Sequence, residues 1–119
     1  MMREEPGTEL IEPGPISTGT LLTSDLLTAF WAEFKRRYPS GIVMSKQGEW
    51  NEIFSAWEDM DGAEFKQAVD YGDLQEDAGM LVESLIDDLD GACYGQGMTF
   101  GAHPDDPALF GYWQWENYG

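Results

Sequence analysis

Two short stretches concentrate side chains that could hold a cation. "DDLDG" at residues 87–91 and "EDMDG" at residues 58–62 each set carboxylates two residues apart ahead of a glycine. Those are positions 3, 5 and 6 of a helix–loop–helix calcium site. The rest of that ligand set is missing. With Gly91 at position 6, position 1 is Ile86 and position 12 is Gly97; with Gly62 at position 6, they are Trp57 and Ala68. A loop without its first oxygen ligand and its bidentate Glu is not a high-affinity calcium site. The carboxylates therefore call for another explanation.

Other reactive side chains are sparse. His103 is the only histidine and Cys93 the only cysteine, which removes multi-histidine metal sites and an internal disulfide. Cys93 with His103 is then the one Cys–His pair available for nucleophilic chemistry, and nothing around it supplies an orienting third group. A packed small hydrophobe is the simpler expectation for Cys93. The stretch "AHPDD", residues 102–106, resembles the metal-binding motif of N-acetylglucosaminyl deacetylase-like zinc hydrolases. That resemblance implies a His and an Asp on zinc and a second Asp as base. It covers five residues, and Pro107 stands where the family usually has Glu. A Pro-bounded turn, with Asp106 and Pro107 opening one helical turn through Phe110, accounts for the same residues. Phosphate loops, dinucleotide fingerprints and Ser-nucleophile elbows do not occur. No enzyme activity, metal or cofactor is expected.

The distribution of acids says more than any motif. The 119 residues carry 23 acids and 6 basic residues, a formal charge of −17. Residues 49–90 hold 14 of those acids against Lys66 alone, a net −13. Such a field repels nucleic acid and attracts basic protein surfaces. On a helix, neighbours at i,i+3 and i,i+4 hold their carboxylates about 5–6 Å apart, comparable with phosphates along a nucleic-acid strand. Glu58, Asp59 and Asp61 near one expected helix end, and Asp87, Asp88 and Asp90 near another, also oppose the helix dipole at about 0.3–1 kcal/mol each.

The elements that must position these side chains follow from periodicity. Residues 1–22, with three prolines, read as an irregular arm. Thr23 or Ser24 can cap a helix over 24–38, with Leu26, Leu27, Phe30, Trp31, Phe34 and Tyr38 on one face and Lys35, Arg36 and Arg37 at its end. "GIVMS", residues 41–45, is too short to assign. Trp50, Ile53, Phe54, Trp57 and Met60 place a second helix over 47–60, closed by Gly62. A short third covers 63–71. A fourth runs from 74 to 89, burying Leu74, Ala78, Leu81, Val82, Leu85, Ile86 and Leu89. From Ala92 onward, seven aromatics among Gly and Pro residues predict an irregular segment packed on the helices, with 112–115 either a short strand or a stretch lying across them.

The expected fold is mainly α: a single small domain over 23–119, a bundle of about four helices with an aromatic-rich C-terminal segment and room for one short strand pair. No run of 18 apolar residues occurs, and the acidic, Pro-broken N-terminus is unlike a signal peptide; a cytoplasmic location is the expectation. The leading functional expectation is a non-catalytic acidic inhibitor. It would mimic nucleic-acid charge and block the basic groove of a nucleic-acid-binding enzyme, as anti-CRISPR or anti-restriction proteins of phage do. An immunity protein or antitoxin against a basic nuclease is the second reading, and an acidic, solubility-adapted structural or adaptor domain the third. The expected contact residues are Glu58, Asp59, Asp61, Asp73, Glu76, Asp77, Asp87, Asp88 and Asp90, with Trp113 and Trp115 as aromatic anchors.

Overall fold

A computed structural model describes residues 12–93 and 97–114. The described residues form five helices and a three-stranded antiparallel sheet: β1 (Gly14–Ser17), α1 (Thr23–Arg37), α2 (Ser40–Glu49), α3 (Asn51–Asp59), α4 (Gly62–Tyr71), α5 (Gln75–Gly91), β2 (Met98–His103) and β3 (Asp106–Gln114). The sheet order is β1-β3-β2. No helix among the described residues is long and apolar enough to cross a membrane.

The core is built where the two strongest apolar stripes meet. Leu26, Leu27, Phe30, Trp31 and Phe34 of α1 pack with Ala78, Leu81, Val82, Leu85 and Leu89 of α5, all buried. Full burial of each large apolar side chain contributes about 1.5–3 kcal/mol. Ile53 of α3, Phe65 and Val69 of α4, and Met98, Phe100 and Tyr112 of the sheet complete the cluster. Phe30 meets Phe100 edge-on, and Phe100 meets Tyr112 in the same way, at centroid distances of 5.3 and 5.0 Å. These ring contacts join the hairpin to α1.

Helix α1 is capped from a distance. Thr23 and Ser24 lie inside the helix, and Leu22 at the N-cap position has no side-chain bond to give. Instead the buried Asp70 carboxylate of α4 accepts from Ser24 N–H at 2.8 Å and Ser24 Oγ–H at 2.7 Å, while Lys66 Nζ lies 3.4 Å away. A carboxylate supplied by another helix thus satisfies an orphan donor and complements the dipole. Burial works to raise the Asp70 pKa, but the Ser24 and Lys66 contacts outweigh it and hold it below the ordinary value. Asp70→Ala should lower stability by about 1–3 kcal/mol, as for loss of a charged hydrogen-bond acceptor. Urea denaturation at pH 7 would measure it; an unchanged midpoint would assign the cap elsewhere.

The structure corrects several expectations. Residues 40–49 are helical, because Ile42 and Val43 pack on the core and Lys46 is drawn inward, which overrides weak local propensity. The helix expected over 47–60 is interrupted at Trp50, whose φ of −112° and ψ of 38° separate α2 from α3. Gly62 does not close a helix; it is the first residue of α4. Gly14–Ser17, within the expected irregular arm, pairs with β3 as a strand with a bulge between Pro15 and Ser17. Asp106 and Pro107 open strand β3 and no helical turn. Gly111 permits this pairing: a Cβ there would collide with the Gly14 carbonyl oxygen and lie 2.7 Å from Pro15 Cα. Cross-strand neighbours outside the periodic segments decide these elements.

Candidate functional site

The six carboxylates of the two Gly-closed motifs separate into two groups. Asp61 caps α4, accepting from Glu64 N–H at 2.8 Å, so the dipole favours it there. Asp88 pairs with Lys46 at 2.6 Å, and Lys46 also donates to Ser84 Oγ at 2.7 Å. Asp90 accepts from Thr99 Oγ1 at 2.9 Å and Phe100 N–H at 3.0 Å, tying the end of α5 to strand β2. Tyr38 adds a hydrogen bond from its hydroxyl to the Asp88 carbonyl oxygen. Burial, then the nearby Asp88 charge, pushes the Tyr38 hydroxyl up to about 12, so it serves as a donor. Glu58, Asp59 and Asp87 remain, exposed near the C-terminal ends of α3 and α5, with no described ion pair.

Asp73 lies in the turn before α5, and Glu76 and Asp77 occupy that helix's first turn. The dipole favours acids at that position. Eleven residues of helix separate Glu76 from Asp87, roughly 16 Å at 1.5 Å per residue. Two acidic ends therefore form two zones. Trp113 is half-buried, donating its indole N–H to the Gly101 carbonyl at 3.0 Å, with the His103 ring edge-on at 4.8 Å. Trp115 lies outside the described residues.

Among the grooves on the helical surface of the described residues, two are of note. One, of about 570 Å³, is lined by Glu52, Ala56, Met60, Glu64, Gln67, Ala68, Gly72, Asp73 and Leu74. Carboxylates from α3, α4 and the following turn thus share one rim, and of these Glu52 and Glu64 were absent from the expected contact set. Both stand in the acid-rich stretch, but only the packing of α3 on α4 brings them opposite Asp73. The other groove, of about 620 Å³, runs along Trp31, Lys35, Gln47, Gly48, Asn51, Phe54, Ser55, Trp57 and Glu58. Its wall belongs to a chain of ring contacts in which Trp31–Phe54, Phe54–Trp57 and Trp57–Phe65 centroids stand 4.5, 5.9 and 5.1 Å apart.

Reactive chemistry finds little support in the same geometry. Cys93 is buried with its Sγ 3.5 Å from the Leu89 carbonyl oxygen, and burial, then the Asp90 charge, pushes the thiol up to about 12. A protonated, enclosed thiol is a poor nucleophile. His103 accepts the Asp105 N–H on Nδ1 at 3.1 Å, and "AHPDD" is the β2–β3 hairpin turn, with Asp106 accepting from Ala108 N–H at 3.0 Å. Among the described residues no three His, Cys, Asp or Glu side chains are grouped to hold a metal ion.

A second, unanticipated buried polar cluster among the described residues joins α1 to the sheet. Glu33 accepts from Arg37 Nε at 2.8 Å, the Tyr112 hydroxyl at 2.7 Å and Arg36 Nε at 3.2 Å. The i,i+4 spacing of Glu33 and Arg37 was the available signal. Its partner Tyr112 comes from strand β3, 79 residues away. No protein-family model matches this chain, and no curated protein or solved structure is significantly similar to it.

Proposed function

We propose that the protein is a non-catalytic acidic inhibitor that presents nucleic-acid-like charge to a basic protein groove, the role that anti-CRISPR and anti-restriction proteins fill. The observation that carries this reading is that two of the three lysines are engaged by carboxylates, while Lys35 lies over the Trp31 ring. Lys46 is buried against Asp88, and Lys66 pairs with Asp25 at 3.6 Å and Asp70 at 3.4 Å. The exposed carboxylates of α3, α4 and α5 are left with no described basic partner. Such a surface steers a basic partner toward it and competes with phosphates for Lys and Arg side chains.

The test is capture from a host lysate at low and high salt, with and without competing duplex DNA. Retention of nucleic-acid-binding enzymes that falls steeply with salt and is displaced by DNA supports the reading. Salt-insensitive capture of a neutral protein sinks it. One feature favours the immunity-protein alternative: beside Glu52, Glu64 and Asp73 the groove is lined by Ala56, Met60, Ala68 and Leu74, and a pure charge mimic does not need an apolar lining. An immunity protein would retain a single nuclease, undisplaced by DNA.

A further inference from the structure

We propose that the groove between α3, α4 and the turn leading into α5 is the docking site for a basic amphipathic helix of the partner protein. This rests on the acidic-inhibitor reading and gives it a location. Glu52, Glu64 and Asp73 reach its rim from three different elements, and no cation lines it. Yet they are not clustered to chelate a metal ion. Separated like charges along a groove match separated cations along a segment.

The lining determines what kind of segment. Ala56, Ala68 and Leu74 line the groove half-buried, and Met60 beside them is among the large hydrophobics left exposed, at 36%. Small residues flanking a flexible thioether accept an apolar stripe and adapt to it. Gly72 sets the turn close on α4, where a Cβ would stand 3.1 Å from Ala68 Cα; that approach places Asp73 at the rim. A groove between two helices, lined by exposed carboxylates and by half-buried apolar side chains, suits a helix that presents Leu-type anchors inward and Lys or Arg outward.

The probes are a Leu/Lys peptide of about 18 residues, roughly 27 Å long as a helix, with leucines at helical spacing, and a shuffled isomer of the same composition without the stripe. Binding to the full chain is followed by titration calorimetry and amide chemical shifts. The striped peptide should bind about tenfold or more tightly than the shuffled one, with shifts centred on Ala56, Ala68 and Gly72. The triple variant Glu52→Gln, Glu64→Gln, Asp73→Asn should weaken both peptides, since they carry the same charge. Met60→Gln should weaken the striped peptide alone, with the helical circular-dichroism signal unchanged. If both peptides bind equally, and binding is lost instead on reversing Glu58, Asp59 and Asp87, the groove is overturned and the acidic-surface reading stands. If neither peptide binds at low salt, both fall.

Discussion

Glu33→Ala should lower the unfolding free energy by about 3–5 kcal/mol, the loss typical of removing one partner from a buried ion pair. Glu33 and Arg37 are each only 6% exposed, and Glu33 Oε2 accepts both the Arg37 Nε–H and the Tyr112 hydroxyl. Without the carboxylate, the Tyr112 hydroxyl and the Arg37 guanidinium lose its acceptor oxygens where water has little access. Arg37 also sits 5.3 Å from the Tyr112 ring centroid, so the loss reaches the seam between α1 and the sheet. Domains of this size have about 5–15 kcal/mol of net stability, so the loss would remove a large fraction of it. Urea denaturation followed by circular dichroism would measure this. A loss under about 1 kcal/mol would show that the pair is dispensable.

The same cluster predicts a pH dependence with a definite sign. Burial acts to raise the Glu33 pKa, but the bonds from Arg37, Tyr112 and Arg36 outweigh it and leave it below its ordinary 4.5. A carboxylate depressed on folding contributes stability that is complete above its unfolded value and is lost as pH falls through the folded one. Asp70, lowered from 3.8, acts in the same direction. Stability should therefore decline as pH drops below about 4.5, and Glu33→Gln should flatten that decline. An acid limb unchanged in the variant would place the titrating group elsewhere.

The second large effect separates stability from binding. Glu58→Lys, Asp59→Lys and Asp87→Lys together should raise thermal stability while slowing, without abolishing, partner capture. All three carboxylates sit near helix C-terminal ends, where a cation is preferred by about 0.3–1 kcal/mol per charge. Asp87→Lys also replaces a like-charge neighbour of Glu83 at i,i+4 with an attractive one. The triple variant should melt several degrees higher, since about 1 kcal/mol moves Tm by roughly 4–8 °C in a domain near 100 residues. Its association with a basic partner at low salt should slow on the order of 10 to 1,000-fold, the range over which charge steering acts. Calorimetric melting and stopped-flow association would read the two effects. A more stable variant with unchanged capture would remove these carboxylates from the contact surface. Asp61, Asp88 and Asp90 are unsuited to the same test, because their bonds to Glu64, Lys46 and Phe100 would confound binding with folding.

Much of this protein was legible in the order of its residues. The faces of α1 and α5 repeat at helical spacing, so Leu26, Phe30 and Phe34, like Leu81, Leu85 and Leu89, declared themselves as core, and all are buried. Periodicity is a local property, and burial of one stripe follows from it. The acid excess over residues 49–90 is likewise a property of composition alone. Calcium loops could be excluded by counting ligands. Neither reading needed a fold.

Elsewhere, partners distant in sequence made the decision. Helix α2 forms because Lys46 finds Asp88 and Ser84 on α5, and β1 because Gly111 lets another strand approach. Local propensity contains neither fact. Charge position misled most where a carboxylate had structural work: Asp61 caps α4, Asp88 holds Lys46, and Asp90 holds a strand. An acid's distance from a helix end can be read from a sequence, but its hydrogen-bond partner cannot. Composition thus determined that the surface is acidic. Packing decided which carboxylates remain on it and that Glu52, Glu64 and Asp73 face one groove, because side chains converge only where helices from separate parts of the chain are brought into contact.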